Sequence, residues 1–225
     1  SRGLVGPDEF IPLAARTGLV RPLTSWMLAR AVQTCGAWRG TETLAGMSIA
    51  VNLSPRSLLD PELPTAVETL LQMNGLSAQD LTLEITESSV LDDPRRTGEV
   101  LDRLRALGVR ISIDDFGTGY SSMSYLRTLP VDEVKIDRSF VSDLLHQPGD
   151  AAIVHAIVTL AGKLGLETVA EGVEDAATWK RLADMGCTRI QGYHLARPMP
   201  HAEFPAWLES AADRFAEVTA PGQRS

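Results

Sequence analysis

The chain has 225 residues, of which 44% are hydrophobic and 22% charged, and this composition excludes disorder over most of its length. The net charge of −8, from 21 Lys and Arg against 29 Asp and Glu, argues against DNA or RNA as a partner. Two cysteines without metal-ligand spacing suit a cytoplasmic location. No apolar stretch is long enough to span a bilayer, so we expect no membrane contact by this segment.

The predicted elements alternate between helices and short β-branched strands. Helical patterns cover 7–16 and 21–38 before the first strand, and another covers 202–215 after the last one. We expect a single domain over 1–218 and a disordered tail over 219–225. The six predicted strands cover 47–53, 81–86, 109–115, 132–137, 167–171 and 188–191.

Three helical apolar stripes lie between these strands. One ends at Gly108, a second runs from Asp150 to Gly165, and a third runs from Asp175 to Gly186. Aspartate before a helix and glycine after it are the ordinary capping residues. Strand–helix alternation predicts an α/β fold whose parallel strands are covered by helices, either as a doubly wound sheet or as a (β/α) barrel.

Polar residues at the strand ends favour the barrel. In an open sheet only the strands near the switch point carry functional groups, whereas a barrel gathers the carboxyl ends of all its strands around one mouth. A TIM barrel has eight strands, so we expect that this sequence opens inside the domain and lacks the first two. The strand-end residues are Asn52, Glu84, Asp114 with Asp115, Lys135, Glu171 and Gln191.

Carboxylates gathered on one rim repel each other unless a cation lies between them. Oxygen ligands favour Mg²⁺, Mn²⁺ or Ca²⁺ over zinc. The adjacent pair Asp114–Asp115 could bridge two metals, an arrangement suited to phosphodiester hydrolysis. Lys135 could orient the attacking water or offset charge on the phosphorane.

Each of these residues also has an ordinary interpretation when taken alone. Glu84 or Glu171 could cap a helix or lie on the surface, and Lys135 could be a solvated strand end. Asp114–Asp115 could form a turn, and Asn52 could cap a helix. The functional interpretation depends on six strands ending in such groups together.

A mobile loop is predicted after the aspartate pair. It contains Phe116, Gly117, Thr118 and Gly119, and its small residues would let it move over the mouth and carry a ligand or partner signal.

The order of the motifs resembles the EAL-domain family of cyclic di-GMP phosphodiesterases. The resemblance covers about residues 3–209. It rests on the motifs at 51–54 (VNLS), 84–87 (EITE), 114–119 (DDFGTG), 135–137 (KID), 171–174 (EGVE) and 191–193 (QGY).

The resemblance implies a modified TIM barrel that hydrolyses cyclic di-GMP to linear pGpG with two Mg²⁺ or Mn²⁺ ions. It implies Asn52, Glu84 and Asp114 as ligands of one metal, and Asp114, Asp115 and Glu171 as ligands of the other metal or of its waters.

Further roles are implied for residues around this metal site. Lys135 resembles the residue that holds the nucleophilic water, with Glu171 as a catalytic neighbour. Gln191, with Asp115, resembles a polar contact to substrate. Glu87 resembles the anchor of the glycine-containing loop, which in the family couples dimerisation to activity, and Glu174 resembles a support for the site.

One departure from the family bears on activity. The Glu-Ala-Leu motif that names the family, and the arginine after it, are absent from these residues, so we expect the 225-residue chain alone to be weakly active or inactive. We expect a fragment of a longer, sensor-linked protein that forms homodimers, rather than a degenerate relative. The alternative functions are a module that binds cyclic di-GMP or a protein without cleavage, and a metal-dependent barrel hydrolase of another substrate.

Overall fold

The computed structural model describes residues 5–118 and 126–219. The parallel strands are β1 (Ile49–Asn52), β2 (Leu81–Thr86), β3 (Arg110–Phe116), β4 (Glu133–Ile136), β5 (Glu167–Ala170) and β6 (Arg189–Ile190). The helices are α1 (Pro7–Thr17), α2 (Val20–Trp38), α3 (Pro55–Leu58), α4 (Leu63–Met73), α5 (Glu87–Asp92), α6 (Pro94–Leu107), α7 (Arg138–Val141), α8 (Pro148–Leu164), α9 (Ala176–Asp184) and α10 (Phe204–Thr219).

The six strands form one sheet in which each strand pairs in parallel with the next along the chain. A doubly wound sheet requires a reversal of strand order. The described strands show no such reversal, so they form a half-barrel and confirm the predicted barrel-type α/β fold. β1 and β6 are the edges of this sheet within the described ranges.

The hydrophobic core lies between the outer face of the half-barrel and the helices. On β2, Leu81, Leu83 and Ile85 are fully buried and form part of this core. Alternation along a strand then directs Glu84 to the inner face. Leu101 and Leu104 of α6 pack into the same core from the outside. The sheet is therefore apolar towards the helices and polar towards the barrel axis.

Helix ends largely follow the predicted capping residues. Asp175 accepts hydrogen bonds from the N–H groups of Ala177 and Thr178, and Gly108 ends α6 in the left-handed conformation. α8 begins at Pro148, two residues before the predicted Asp150, because the fixed φ of proline suits a first helical turn. The helix α4 was not anticipated.

The final predicted helix begins at Phe204, two residues later than expected, and continues to Thr219. The remainder of the predicted tail lies outside the described residues. Among the helices that the structure describes, none combines the length and the apolar character that crossing a bilayer requires.

Candidate active site

A buried ion cluster lies at the carboxyl ends of the strands, centred on Lys135 of β4. Its side chain is almost fully buried. Its Nζ lies 2.9 Å from Oε2 of Glu84, 3.1 Å from Oδ1 of Asp114 and 2.7 Å from Oε1 of Glu171. One ammonium group therefore faces three carboxylates that come from three other strands or strand ends.

Strand register explains why these four side chains meet. Paired residues in a parallel sheet direct their side chains to the same face. In the register, Ser112 pairs with both Glu84 and Glu133, so these three side chains share the inner face. Asp114 lies two residues after Ser112, and Lys135 lies two residues after Glu133, so both also face inward. Glu171 directly follows β5, and its N–H donates to the carbonyl of Ile136.

An irregularity in β3 brings both aspartates to the mouth. The register between β3 and β4 shifts between Ile113 and Phe116. Asp115 has φ 55°, a left-handed conformation that residues other than glycine rarely adopt, and its N–H donates to Oδ1 of Asp114 at 3.1 Å. A bulge can redirect a side chain in this way. Adjacent strand residues, which would ordinarily face opposite sides, thus both reach the mouth.

The acidic site can hold a metal ion. Carboxylate oxygens of Asp114, Asp115 and Glu171 all lie within 4.8 Å of one another. An all-oxygen donor set of this kind fits a hard divalent cation. Lys135 has three carboxylate neighbours for its single charge, and this excess of negative charge also suits a cation.

Burial and mutual repulsion shift the titration of this cluster. Burial raises the pKa of Glu84 and of Glu171, and Lys135 offsets only part of that effect. Burial and the neighbouring carboxylate of Asp114 raise the pKa of Asp115. Burial alone would lower the pKa of Lys135, but Glu84, Glu171 and Asp114 outweigh it and raise that pKa. Lys135 is therefore an ammonium ion throughout the physiological range.

Asn52 lies next to this cluster but outside its ion pairs. It is the last residue of β1, is exposed, and pairs in register with Glu84. The common register places both side chains on the inner face, where the amide of Asn52 adds an oxygen donor beside Glu84.

A neighbouring cavity of about 420 Å³ extends from Glu171. The predicted residues Gln191 and Glu174 line it, and so do Arg138 and Tyr193, which were not singled out in the sequence. Arg138 follows the end of β4 by two residues, so a search that included the second residue after each strand would have found it. The cavity combines a guanidinium, a carboxamide and an aromatic ring beside the carboxylates.

The predicted loop is described only in part. Phe116 is buried, and Gly117 has φ 97° and lies against the ring of Phe140. The hydroxyl of Thr118 donates to the carbonyl of Asp115 at 2.9 Å. Gly119 lies outside the described residues. Glu87, the predicted loop anchor, begins α5 directly after β2.

The fold and the site define a barrel-type α/β protein with an acidic, lysine-centred cluster at its mouth. The chain belongs to the EAL-domain family, whose model matches residues 1–198.

Relatives with known names are similar in sequence to this chain. The bifunctional diguanylate cyclase/cyclic di-GMP phosphodiesterase MucR of Pseudomonas aeruginosa is 45% identical over 198 residues, which cover 88% of this chain and 29% of MucR. The cyclic di-GMP phosphodiesterase NbdA of the same organism is 42% identical over 213 residues, which cover 93% of this chain and 27% of NbdA. The chain thus spans less than a third of these relatives.

A solved structure also resembles the chain. The phosphodiesterase PaMucR in complex with c-di-GMP superposes with a TM-score of 0.85 at 44% identity, over 91% of this chain and 82% of that one.

Proposed function

We propose that this chain belongs to the phosphodiesterase domain of a bacterial signalling protein, and that the whole protein hydrolyses cyclic di-GMP to linear pGpG. The observation that carries the proposal is the contact of Lys135 with three carboxylates at the mouth of the half-barrel. Family membership and the names of the relatives support cyclic di-GMP as substrate.

We assign two groups of residues to bind Mg²⁺ or Mn²⁺. Asn52, Glu84 and Asp114 would hold one ion, and Asp114, Asp115 and Glu171 the other. The 4.8 Å grouping of carboxylate oxygens supports the second set, and the register of Asn52 with Glu84 supports the first. When bound, paired divalent ions supply a hydroxide-like nucleophile and neutralise charge on the phosphate.

Lys135 provides the fixed positive charge of the reaction. Its ammonium is buried, so its field is screened little by solvent. We assign Lys135 to hold the attacking water beside Glu171, a role that requires the ammonium to release one of the three carboxylates that it contacts in this structure. It also offsets the negative charge that develops on the phosphoryl oxygens.

The cavity beside Glu171 is the place for the remainder of the substrate. Gln191 can donate and accept hydrogen bonds there, and the guanidinium of Arg138 can bind a phosphate oxygen. The inner end of the site, at Lys135 and Glu84, is buried. The substrate would thus contact a buried, charged region at Lys135 and Glu84, and an open cavity with hydrogen-bonding side chains at Gln191 and Arg138.

The decisive experiment measures the product. The whole protein is incubated with cyclic di-GMP and Mg²⁺ or Mn²⁺, and pGpG is quantified by chromatography. We expect metal-dependent hydrolysis that is lost in Asp114→Asn and retained in Asp102→Asn, a matched change at an exposed residue of α6. Binding of cyclic di-GMP without any cleavage would instead identify a binding module, and full activity in Asp114→Asn would contradict the assigned role.

Three further proposals concern the whole protein. The chain spans 29% of MucR and 27% of NbdA, which supports a parent protein with additional sensor or regulatory domains. The homodimer and the cytoplasmic location remain predictions from the sequence. Size-exclusion chromatography with light scattering on the chain tests whether it forms a homodimer.

A further inference from the structure

A second charged layer lines the inner face of the half-barrel at the amino-terminal ends of the strands, away from the proposed active site. Arg189 contacts Glu133 at 3.1 Å and Glu167 at 2.9 Å. Arg110, the first residue of β3, also pairs with Glu167. The carboxylates of this layer are therefore already neutralised by arginines within the fold.

A cavity of about 310 Å³ opens beside this layer. Three arginines line it: Arg105 from α6, Arg110 from β3, and Arg127 from the segment before β4. Its size is at the lower end of the range for small-molecule sites. The chain has a net charge of −8, so three guanidinium groups around one small cavity make this region unusually basic for this protein.

The carboxylates that line the same cavity are engaged elsewhere. Oδ2 of Asp132 accepts a hydrogen bond from the N–H of Ile111 at 2.9 Å, and Glu167 pairs with Arg110 and Arg189. Neither acid has a strong contact to Arg105 or Arg127, since the single pair, Arg105 with Asp132, is 3.9 Å long.

The contacts of Arg105 are long: its Nη1 donates to the carbonyl of Val131 at 3.5 Å, and its Nη2 lies 3.9 Å from Asp132. Arg127 is exposed, and among the described residues it forms no hydrogen bond or ion pair. Both ion pairs of Arg110 use Nη2, and its Nε has no partner in the described part of the chain. The Nε of Arg110 is itself buried, so the donors available to a ligand are those of Arg105 and Arg127, and guanidinium groups that line one cavity suit a phosphate group.

We propose that this cavity binds a small phosphate ligand, either free phosphate or the 5′-phosphate of a mononucleotide. Arg127 and Arg105 would hold the phosphate oxygens, and the apolar side chains of Leu126, Leu129 and Leu166 would form the remaining wall. The site is distinct from the mouth, because Arg110 and Glu167 begin the strands whose carboxyl ends carry Asp114 and Glu171.

The test is calorimetric titration of the 225-residue chain without divalent metal or cyclic di-GMP. Under these conditions the acidic mouth repels anions, and the Arg127→Gln variant separates binding in this cavity from binding at Arg138 in the mouth. Failure of the proposed hydrolase function would leave this result unaffected. The probes are potassium phosphate, GMP and guanosine, each at constant ionic strength adjusted with potassium chloride.

We expect saturable binding of one phosphate per chain. Arg127→Gln should weaken it about tenfold, as expected for loss of one charge-assisted hydrogen bond. Arg95→Gln is the matched control, because Arg95 is an exposed helical arginine whose side chain is 90% accessible. It should bind like the unaltered chain, and thermal melts should show that both variants are folded.

The outcomes are distinct. Equal binding of phosphate and GMP supports free phosphate as the ligand, and tighter binding of GMP supports a nucleotide. Binding of guanosine as tight as that of GMP overturns the proposal, as does phosphate binding that Arg127→Gln leaves unchanged. Absence of saturable binding beyond that of chloride overturns it too.

Discussion

Nζ of Lys135 lies 2.7 Å from Oε1 of Glu171, and this pair joins β4 to the residue that follows β5. The contact is a close ion pair whose lysine is buried, and the same ammonium also contacts Glu84 and Asp114. Removing either partner therefore disturbs both the chemistry and the packing of the mouth.

Lys135→Met should abolish hydrolysis and destabilise the metal-free chain by about 3–5 kcal/mol, because three carboxylates would remain near one another without their cation. Urea denaturation measures the loss, and added Mn²⁺ should restore part of it by replacing the missing charge. The control is Lys163→Met at an exposed position on α8, which should stay within about 0.5 kcal/mol. Equal stability of the two variants would contradict the structural role of the cluster.

Metal affinity should fall as the pH is lowered from 7 towards 5. The pKa values of Glu84, Asp115 and Glu171 are raised, chiefly by burial, so protons compete with the metal at a higher pH than for ordinary carboxyls. Titration calorimetry with Mn²⁺ at several pH values measures this. An affinity that is constant down to pH 5 would argue against metal binding by these groups.

The raised pKa of Glu84 affects folding in the opposite direction: metal affinity falls as the pH is lowered, whereas the stability of the metal-free chain falls as the pH is raised. The folded-state pKa of Glu84 lies above its ordinary value of 4.5, so its contribution to stability is present below that value and is lost as the pH rises through the raised pKa. In the metal-free chain, Glu84→Gln should therefore flatten the dependence of unfolding free energy on pH above 4.5. Unchanged pH dependence in this variant would show that Glu84 has an ordinary pKa.

Asp115→Gly should be more stable than Asp115→Ala by about 1 kcal/mol, because φ 55° is unfavourable for a residue with a Cβ atom. Both variants lose the carboxylate, so both should lose hydrolysis. Chemical denaturation of the pair separates the backbone effect from the loss of charge. Equal stability would mean that the left-handed conformation is absent in solution.

Gly172→Ala should destabilise the chain and weaken hydrolysis. An added Cβ would lie 2.6 Å from Cβ of Arg138, and Gly172 has φ 70°, so the adjacent Glu171 would have to move. Gly162→Ala is the contrasting change, since nothing lies within 4 Å of its added Cβ and it sits inside α8. That variant should gain about 0.5–1 kcal/mol, because alanine is the better helix former.

The sequence predicted the strands and the inward carboxylates well, because both depend on local rules. Alternation on β2 identifies Glu84 as the polar residue among Leu83 and Ile85, and Glu171 directly follows a short apolar run. Family motifs added the order and the proposed roles. The prediction that Glu84, Asp114, Lys135 and Glu171 lie close together therefore needed only parallel strands curved around one axis.

Other features could not be read from the sequence because they depend on tertiary contacts. The left-handed backbone of Asp115 follows from the register shift between β3 and β4, which pairing alone determines. Arg138 enters the site because Gly172 leaves room beside it. The charged layer of Arg110 and Arg189 forms only when β3 and β6 curve around the same axis.

The strand β2 carries its buried aliphatic residues and its carboxylate, Glu84, on opposite sides. Leu83 and Ile85 pack against the helices, whereas Glu84 faces the barrel axis. Substitutions along the axis can therefore alter substrate choice while the outer aliphatic packing stays the same. A barrel built in this way allows selection to change its catalytic repertoire without first redesigning its fold.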